Sequence, residues 1–216
     1  MSEVLAAVAS AAPLVAGWSL HGLRLRRRID AARRDPLTGL PGRDAFGSSA
    51  RRDLRAGGGV VVLVDLDGFK AVNDAHGHAA GDAVLTEAAD RLQSWAGLLG
   101  GCAGRLGGDE FAATALIMDP ARVPFELHGL DDSLCAPVRF REVELPVRAS
   151  IGAFVTTGLP VPDLGGALRR ADEAMYAAKR AGGGWRIADG PIPEMTTTNG
   201  RRTGRPGTTV RAGVSR

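Results

Sequence analysis

Two short acidic stretches are the places where this chain of 216 residues could do chemistry. The first is Asp65-Leu66-Asp67-Gly68-Phe69-Lys70, directly after the β-branched run Val60-Val61-Val62-Leu63-Val64. A carboxylate following a buried apolar strand is placed at the edge of a sheet, where a hard cation can be held. Magnesium takes oxygen ligands and is usually held by one or two carboxylates together with substrate phosphates. Read alone, Asp65 and Asp67 could equally end the strand in a turn. The second stretch is Gly107-Gly108-Asp109-Glu110-Phe111. Two glycines permit a tight turn with positive φ and a close approach of backbone to ligand. Adjacent carboxylates at such a turn repel one another unless a cation or solvent screens them, and Phe111 can anchor the returning strand in a core.

These residues need a scaffold, and the pattern around them supplies one. Val60 to Val64 reads as a buried strand. Ala79 to Trp95 has helical periodicity, with Ala83, Val84, Ala88 and Leu92 able to share a face. Arg105 to Ala115 reads as two short strands around a turn at Gly107-Gly108. Pro146 to Thr156 reads as another strand, Asp163 to Ala181 as another helix, and Trp185-Arg186-Ile187 as a last short strand. Strands and helices alternate irregularly and include a hairpin, so the expected class is α+β, layered around one sheet.

Four motifs then fall in order along the chain. Gly107 to Phe111 spells the signature of the GGDEF family. Asp65 to Lys70, continuing through Asn73-Asp74 and Gly77-His78 to Gly81-Asp82, resembles the family's other long motif. Asp35-Pro36-Leu37-Thr38-Gly39-Leu40 resembles its opening motif, and Ala174-Met175-Tyr176-Ala177-Ala178-Lys179 its late helix. The resemblance implies a fold similar to nucleotide cyclases and polymerase palm domains, with a central, mainly antiparallel sheet flanked by helices. It implies a diguanylate cyclase, which joins the 3′-hydroxyl of one GTP to the α-phosphate of another, twice, releasing pyrophosphate and cyclic di-GMP. A homodimer follows, each domain holding one GTP and two-fold symmetry bringing the two together.

The same resemblance distributes roles. Asp65 and Asp109 bind Mg2+ (or Mn2+) through their side chains and Leu66 through its carbonyl, with Glu110 sharing in the metal site. Asp109 is also the position of the base for the 3′-hydroxyl proton. A carboxylate has a low reference pKa, so polarisation of that hydroxyl by the metal must help. Lys70 is the transition-state stabiliser, and Phe69 and Lys70 offer backbone N–H groups to phosphate. Asn73 and Asp82 read guanine, whose N1–H and N2–H a carboxylate can accept and which adenine lacks. His78 is a further substrate contact, with a helix-capping histidine as the alternative. Lys179 binds the triphosphate. Asp35 and Arg43 are structural. Two departures stand out: Gly183 occupies a position where the family often has arginine, leaving Arg180 or Arg186 as substitutes. Leu98 and Gly101 occupy the positions of an Arg-x-x-Asp site through which many members bind their product.

The ends of the chain differ in character from its middle. The net charge is +3, and the arginines cluster before Asp35 and after Asp189, with few aromatic residues for base stacking, so no nucleic-acid binding is expected. Val4 to Leu23 lacks Asp, Glu, Lys and Arg and precedes an arginine cluster. This is the pattern of a single membrane helix with the remainder inside the cell, although an Ala-rich soluble helix would read similarly. The expected organisation is therefore a segment over 1–34 able to hold the protein at the inner membrane, a domain over 35–188 in the cytoplasm, and a disordered basic tail over 189–216. Cys102 and Cys135 lack metal-ligand spacing and read as packing residues in a reducing compartment. Two competitors remain at this level. A non-catalytic GTP-binding regulatory module would show a damaged signature, and a tethered interaction protein would leave the acidic motifs unexplained.

Overall fold

β1 (Val60–Leu66) is buried along its whole length. Its alternate residues serve two different cores, because successive side chains of a strand point to opposite faces. Val60, Val62, Val64 and Leu66 belong to one apolar cluster, Val61 and Leu63 to the other. A strand covered on both faces needs a continuous apolar run rather than an alternating one, which is what the valines supply. The computed structural model describes residues 33–57, 59–157 and 163–188, together with Trp18, His21 and Gly190.

Around β1 the described elements run in chain order. Helix α1 (Arg43–Arg55) precedes β1, which is followed by α2 (Phe69–His76) and α3 (His78–Leu98). The hairpin of β2 (Ala103–Gly107) and β3 (Glu110–Ala115) follows, then α4 (Val123–Cys135) and a small hairpin of β4 (Val138–Phe140) and β5 (Val143–Leu145). β6 (Ala149–Val155), α5 (Leu164–Arg180) and β7 (Gly184–Ile187) complete the set. Five strands form one sheet in the order β2-β3-β1-β6-β7. All neighbours are antiparallel except β6 and β7, whose parallel pairing requires the α5 crossover. The α+β class and the mainly antiparallel sheet flanked by helices are as expected.

One face of the sheet is covered by α3 and α4 through Val84, Leu85, Ala88, Leu92, Leu127, Leu130 and Leu134. The other is covered by α1 and α5 through Phe46, Ala50, Leu54, Ala167, Ala171 and Met175. On α5, Ala167, Ala171 and Met175 are four residues apart and form one ridge on the sheet; the next step along that ridge is Lys179. Asp163 caps this helix, its carboxylate accepting from the N–H groups of Gly165 and Gly166 at 3.0 and 2.9 Å.

Two sequence expectations need correcting. Asp65 does not follow the strand: β1 runs on to Leu66, so Asp65 sits inside the central strand and is only 7% exposed. The inner-membrane location is overturned, because among the described residues no helix is long and apolar enough to cross a membrane. The 21-residue α3 has the length but carries Asp82, Glu87, Asp90 and Arg91. The segment Val4–Leu23 lies outside the described residues apart from Trp18 and His21, as does 189–216 apart from Gly190.

Candidate active site

Strand pairing, rather than sequence proximity, gathers the acidic residues. Asp65 of β1 lies directly opposite Glu110 of β3 on one side and Ser150 of β6 on the other. Opposed residues in an antiparallel pair share a face, so all three belong to the α5 side of the sheet. The Leu66 N–H donates to the Asp109 carbonyl at 3.3 Å, fixing the hairpin turn beside the end of β1. There the α5 ridge delivers its cation: Lys179 Nζ donates to Asp65 Oδ1 at 2.5 Å.

The turn itself is held by Arg105. Its Nε and Nη2 donate to the Gly108 carbonyl at 3.0 and 2.7 Å, and its Nη1 pairs with Asp35 Oδ1 at 2.9 Å. Asp35 also accepts from the Thr38 backbone N–H and hydroxyl at 2.8 and 2.7 Å, and Arg43 donates to the Leu106 carbonyl at 3.3 Å. Burial alone would raise the Asp35 carboxyl, but the Thr38 hydrogen bonds and Arg105 outweigh it and hold its pKa below the ordinary value. Asp35 and Arg43 thus tie the opening segment to the hairpin, the structural role expected of them. Gly107 and Gly108 have φ of 143° and 56°, and an added Cβ would meet nothing within 4 Å, so backbone conformation rather than crowding calls for glycine here. A cavity of about 350 Å³ flanks this turn, lined by Arg33, Arg34, Arg43 and Arg105 among others; none of Asp65, Lys70, Asn73, Asp82 or Lys179 contributes to it.

Electrostatically the site is a concentration of negative charge into which Lys179 reaches. Burial pushes the Asp109 carboxyl above its ordinary pKa and the charge of Asp65 adds to this, against the pull of a backbone N–H, Lys179 and Arg105. Burial would lower the Lys179 ammonium, but its hydrogen bond to Asp65, with the charges of Asp65, Asp67 and Asp109, raises it instead. The lysine occupies the place of a counter-ion. No three or more His, Cys, Asp or Glu side chains converge as a ready metal cage among the described residues. Magnesium does not need one, since one or two carboxylates plus substrate phosphates suffice. An all-oxygen set at the end of β1, with an ammonium already seated on the Asp65 carboxylate, fits a hard divalent cation.

The remaining predicted residues flank this centre. Phe69 and Lys70 open α2, after Gly68 turns the chain with φ of 72°; Lys70 is exposed. Asn73 lies on α2 and Asp82 on α3, and neither is a turn or cap residue. The two helices meet where Gly81 has no side chain: a Cβ there would lie 2.1 Å from Asn73 Oδ1 and 3.1 Å from Phe69 Cζ. Asn73 therefore rests against the residue next to Asp82. His78 starts α3 and is exposed; the N-cap is Gly77, without a side-chain cap, so the capping alternative for His78 fails. Sequence reasoning missed one polar pair, in which Ser150 Oγ donates to the Asp67 carboxylate, 2.9 Å from each oxygen. The signal was present in Asp67 being two residues beyond Asp65, on the same face of the chain. Cys102 and Cys135 are free thiols, and burial pushes Cys102 up to about 12 and raises Cys135, as suits packing residues.

Comparison with known proteins agrees with this geometry. The family model described as diguanylate cyclase, GGDEF domain, matches residues 32–184. A 19.3 kDa protein of the repSA 5′ region in Streptomyces ambofaciens is 49% identical over 164 residues, 76% of this chain and 87% of that one. The diguanylate cyclase TpbB of Pseudomonas aeruginosa is 36% identical over 175 residues, 73% of this chain and 38% of that protein. Two other curated relatives are longer still, and the chain spans 22% and 23% of them. The solved coiled coil and GGDEF domain of DgcB from Caulobacter crescentus, in complex with c-di-GMP, aligns with a TM-score of 0.69 at 26% identity, covering 86% of this chain and 98% of that one. The hairpin that carries Gly107 to Phe111 against β1 is thus set in a fold and a family match that extend over most of the chain, which belongs to the GGDEF family of diguanylate cyclases.

Proposed function

We propose that this chain condenses two GTP molecules into cyclic di-GMP and two pyrophosphates, working as a homodimer with one GTP in each protomer. The observation that carries this reading is the pairing of β1 with β3, which sets Asp65 beside Glu110 and the Asp109 turn while α2 begins just beyond. In this reading the Asp65 and Asp109 side chains and the Leu66 carbonyl hold Mg2+ (or Mn2+), with Glu110 completing the acidic set. The metal supplies charge neutralisation at the phosphates and acidifies the attacking hydroxyl. Asp109 receives the 3′-hydroxyl proton, its carboxylate standing in the turn beside the end of β1. Backbone N–H groups of Phe69 and Lys70, both in the first turn of α2 where no intrahelical partner exists, bind phosphate. The Lys70 ammonium meets charge developing in the transition state. With Asp65 holding a metal, Lys179 would be available to bind the triphosphate. His78, at the start of α3, completes the substrate contacts. The test is incubation of purified protein with GTP and magnesium, followed by resolution of the products. Bound but unconverted GTP would instead make this a regulatory GTP-binding module.

Base selection follows from Asn73 and Asp82. GTP binds in strong preference to ATP, since each unsatisfied polar edge costs about 1–3 kcal/mol. Gly81→Ala places a methyl where Asn73 Oδ1 now lies and swings the amide away. Competition binding then shows GTP affinity falling about tenfold, with that for ATP little changed. Equal affinity of the parent for the two nucleotides contradicts these roles.

Feedback by product is weak or absent through the Leu98–Gly101 segment. Leu98 is 88% exposed and offers no fork for phosphate or guanine. A Cβ on Gly101 would lie 1.9 Å from the Thr114 carbonyl oxygen, so this backbone has no room for an aspartate there. Initial rates measured against added cyclic di-GMP therefore stay flat in the low-micromolar range. Strong noncompetitive inhibition that survives changes at Leu98 and Gly101 would place an inhibitory site elsewhere.

A further inference from the structure

The end of α5 is short of side chains where the proposed triphosphate site needs cations. Gly182, Gly183 and Gly184 follow the helix, all with positive φ (97°, 106° and 79°), and present only backbone. At Gly183 the φ of 106° disfavours any side chain and the space is tight, since an added Cβ would lie 3.1 Å from Asp67 Oδ2 and 3.3 Å from the Ala149 carbonyl oxygen. Of the two arginines that sequence suggested as substitutes, Arg186 turns its Nη1 to the Trp185 carbonyl at 3.0 Å, along its own strand. Arg180 is next to Lys179 on the helix and so projects about 100° around the axis from it.

A different residue reaches the gap. Arg148 stands at the head of β6, where its carbonyl accepts from the Asp67 N–H at 2.8 Å, beside the turn that leads into α2. Its guanidinium crosses to the end of α5 and donates to the Gly182 carbonyl. Added Cβ atoms on Gly182 and Gly183 would meet Arg148 Nη2 at 3.9 and 3.7 Å. The guanidinium thus occupies the space over this glycine run, one turn from Lys179 and against the Asp67–Gly68 turn. It is exposed, and its bond to Gly182 uses one of five donors. A planar fork with donors to spare beside a lysine is well suited to bind a phosphate.

We propose that Arg148 is a phosphate-binding residue of the nucleotide site, reaching from the head of β6 to act with Lys179 on the triphosphate. This rests on the reading of the site as a GTP site. The test compares binding of GTP and of guanosine, which has base and ribose but no phosphate, to the parent, Arg148→Ala and Arg148→Gln. Glutamine is polar and uncharged, but its amide nitrogen falls two bonds short of the Nη2 that donates to Gly182, so the guanosine arm is what separates a lost phosphate contact from a purely structural clamp. The expected result is a loss of about tenfold in GTP affinity in both variants, with guanosine binding unchanged and a matching rise in KM for GTP at nearly constant kcat. GTP affinity preserved in the glutamine variant overturns the proposal, as does an equal loss of GTP and guanosine binding. A parent that binds guanosine but not GTP, or neither, overturns the GTP-site reading as well. Parent-like GTP binding by both variants refutes the role of Arg148 alone.

Discussion

Alanine at Asp65 or at Asp109 stops synthesis of cyclic di-GMP while the protein stays folded. The reasoning starts from charge. Asp65 holds Lys179 at 2.5 Å, and Asp109 sits in a turn fixed to β1 through the Leu66 N–H. Removing either carboxylate takes away one of the acidic side chains proposed to hold magnesium, and Asp109→Ala also removes the proton acceptor. Loss of about 4 kcal/mol of transition-state stabilisation, within the several kcal/mol that such a metal supplies, corresponds to about a thousandfold in rate. The fold tolerates both changes. The Lys179 side chain is 46% exposed and can turn to water when Asp65 is gone, so the lost pair costs no more than about 1 kcal/mol. Product formation from GTP and magnesium measures the effect, and thermal melting controls for folding. Undiminished synthesis by either variant ends the assignment of these carboxylates.

How far the sequence shows this site depends on the kind of signal each part gives. The strand Val60–Val64, the hairpin around Gly107-Gly108 and the helix begun by Asp163 are local patterns, and each is found where the residues point to it. The family motifs then name nearly every residue at the acidic centre. What stays hidden is long-range pairing. Lys179 and Asp65 are 114 residues apart, and only the packing of the α5 ridge on the sheet joins them. Helix α1, RDAFGSSARRDLR, is missed because its charges and its Gly and Ser obscure a thin apolar face of Phe46, Ala50 and Leu54. Helix α2 is missed for a related reason: none of its residues is fully buried, so it has no core stripe to detect. The end of β1 is misjudged because an aspartate looks like a terminator, whereas here a lysine from another element compensates its burial. The contact of Arg148 with Gly182 leaves no local trace at all.

The packing of α5 on β6 is the contact that puts Lys179 in place, and Gly152 is where it is most sensitive. A Cβ added to Gly152 would stand 2.0 Å from the Ala171 carbonyl oxygen, 2.2 Å from the Met175 amide nitrogen and 2.7 Å from Met175 Cα. All three are backbone atoms of a helix, so no side chain can rotate aside, and α5 itself must move off the sheet. Gly152→Ala therefore falls at the severe end of overpacking changes, with an expected loss of about 3 kcal/mol or more. For a domain of this size that lowers the melting temperature by about 6–12 °C. Displacing α5 also draws Lys179 away from Asp65, because residues 171, 175 and 179 share one ridge. Activity then falls even at temperatures where the variant remains folded, chiefly through a higher KM for GTP. Gly129→Ala on α4 is the matched control: its Cβ meets nothing within 4 Å, and alanine favours the helix by about 1 kcal/mol. The pair separates the loss of a glycine from the loss of this contact. Thermal denaturation showing Gly152→Ala as stable as the parent would overturn the close packing of α5 on β6 at this position.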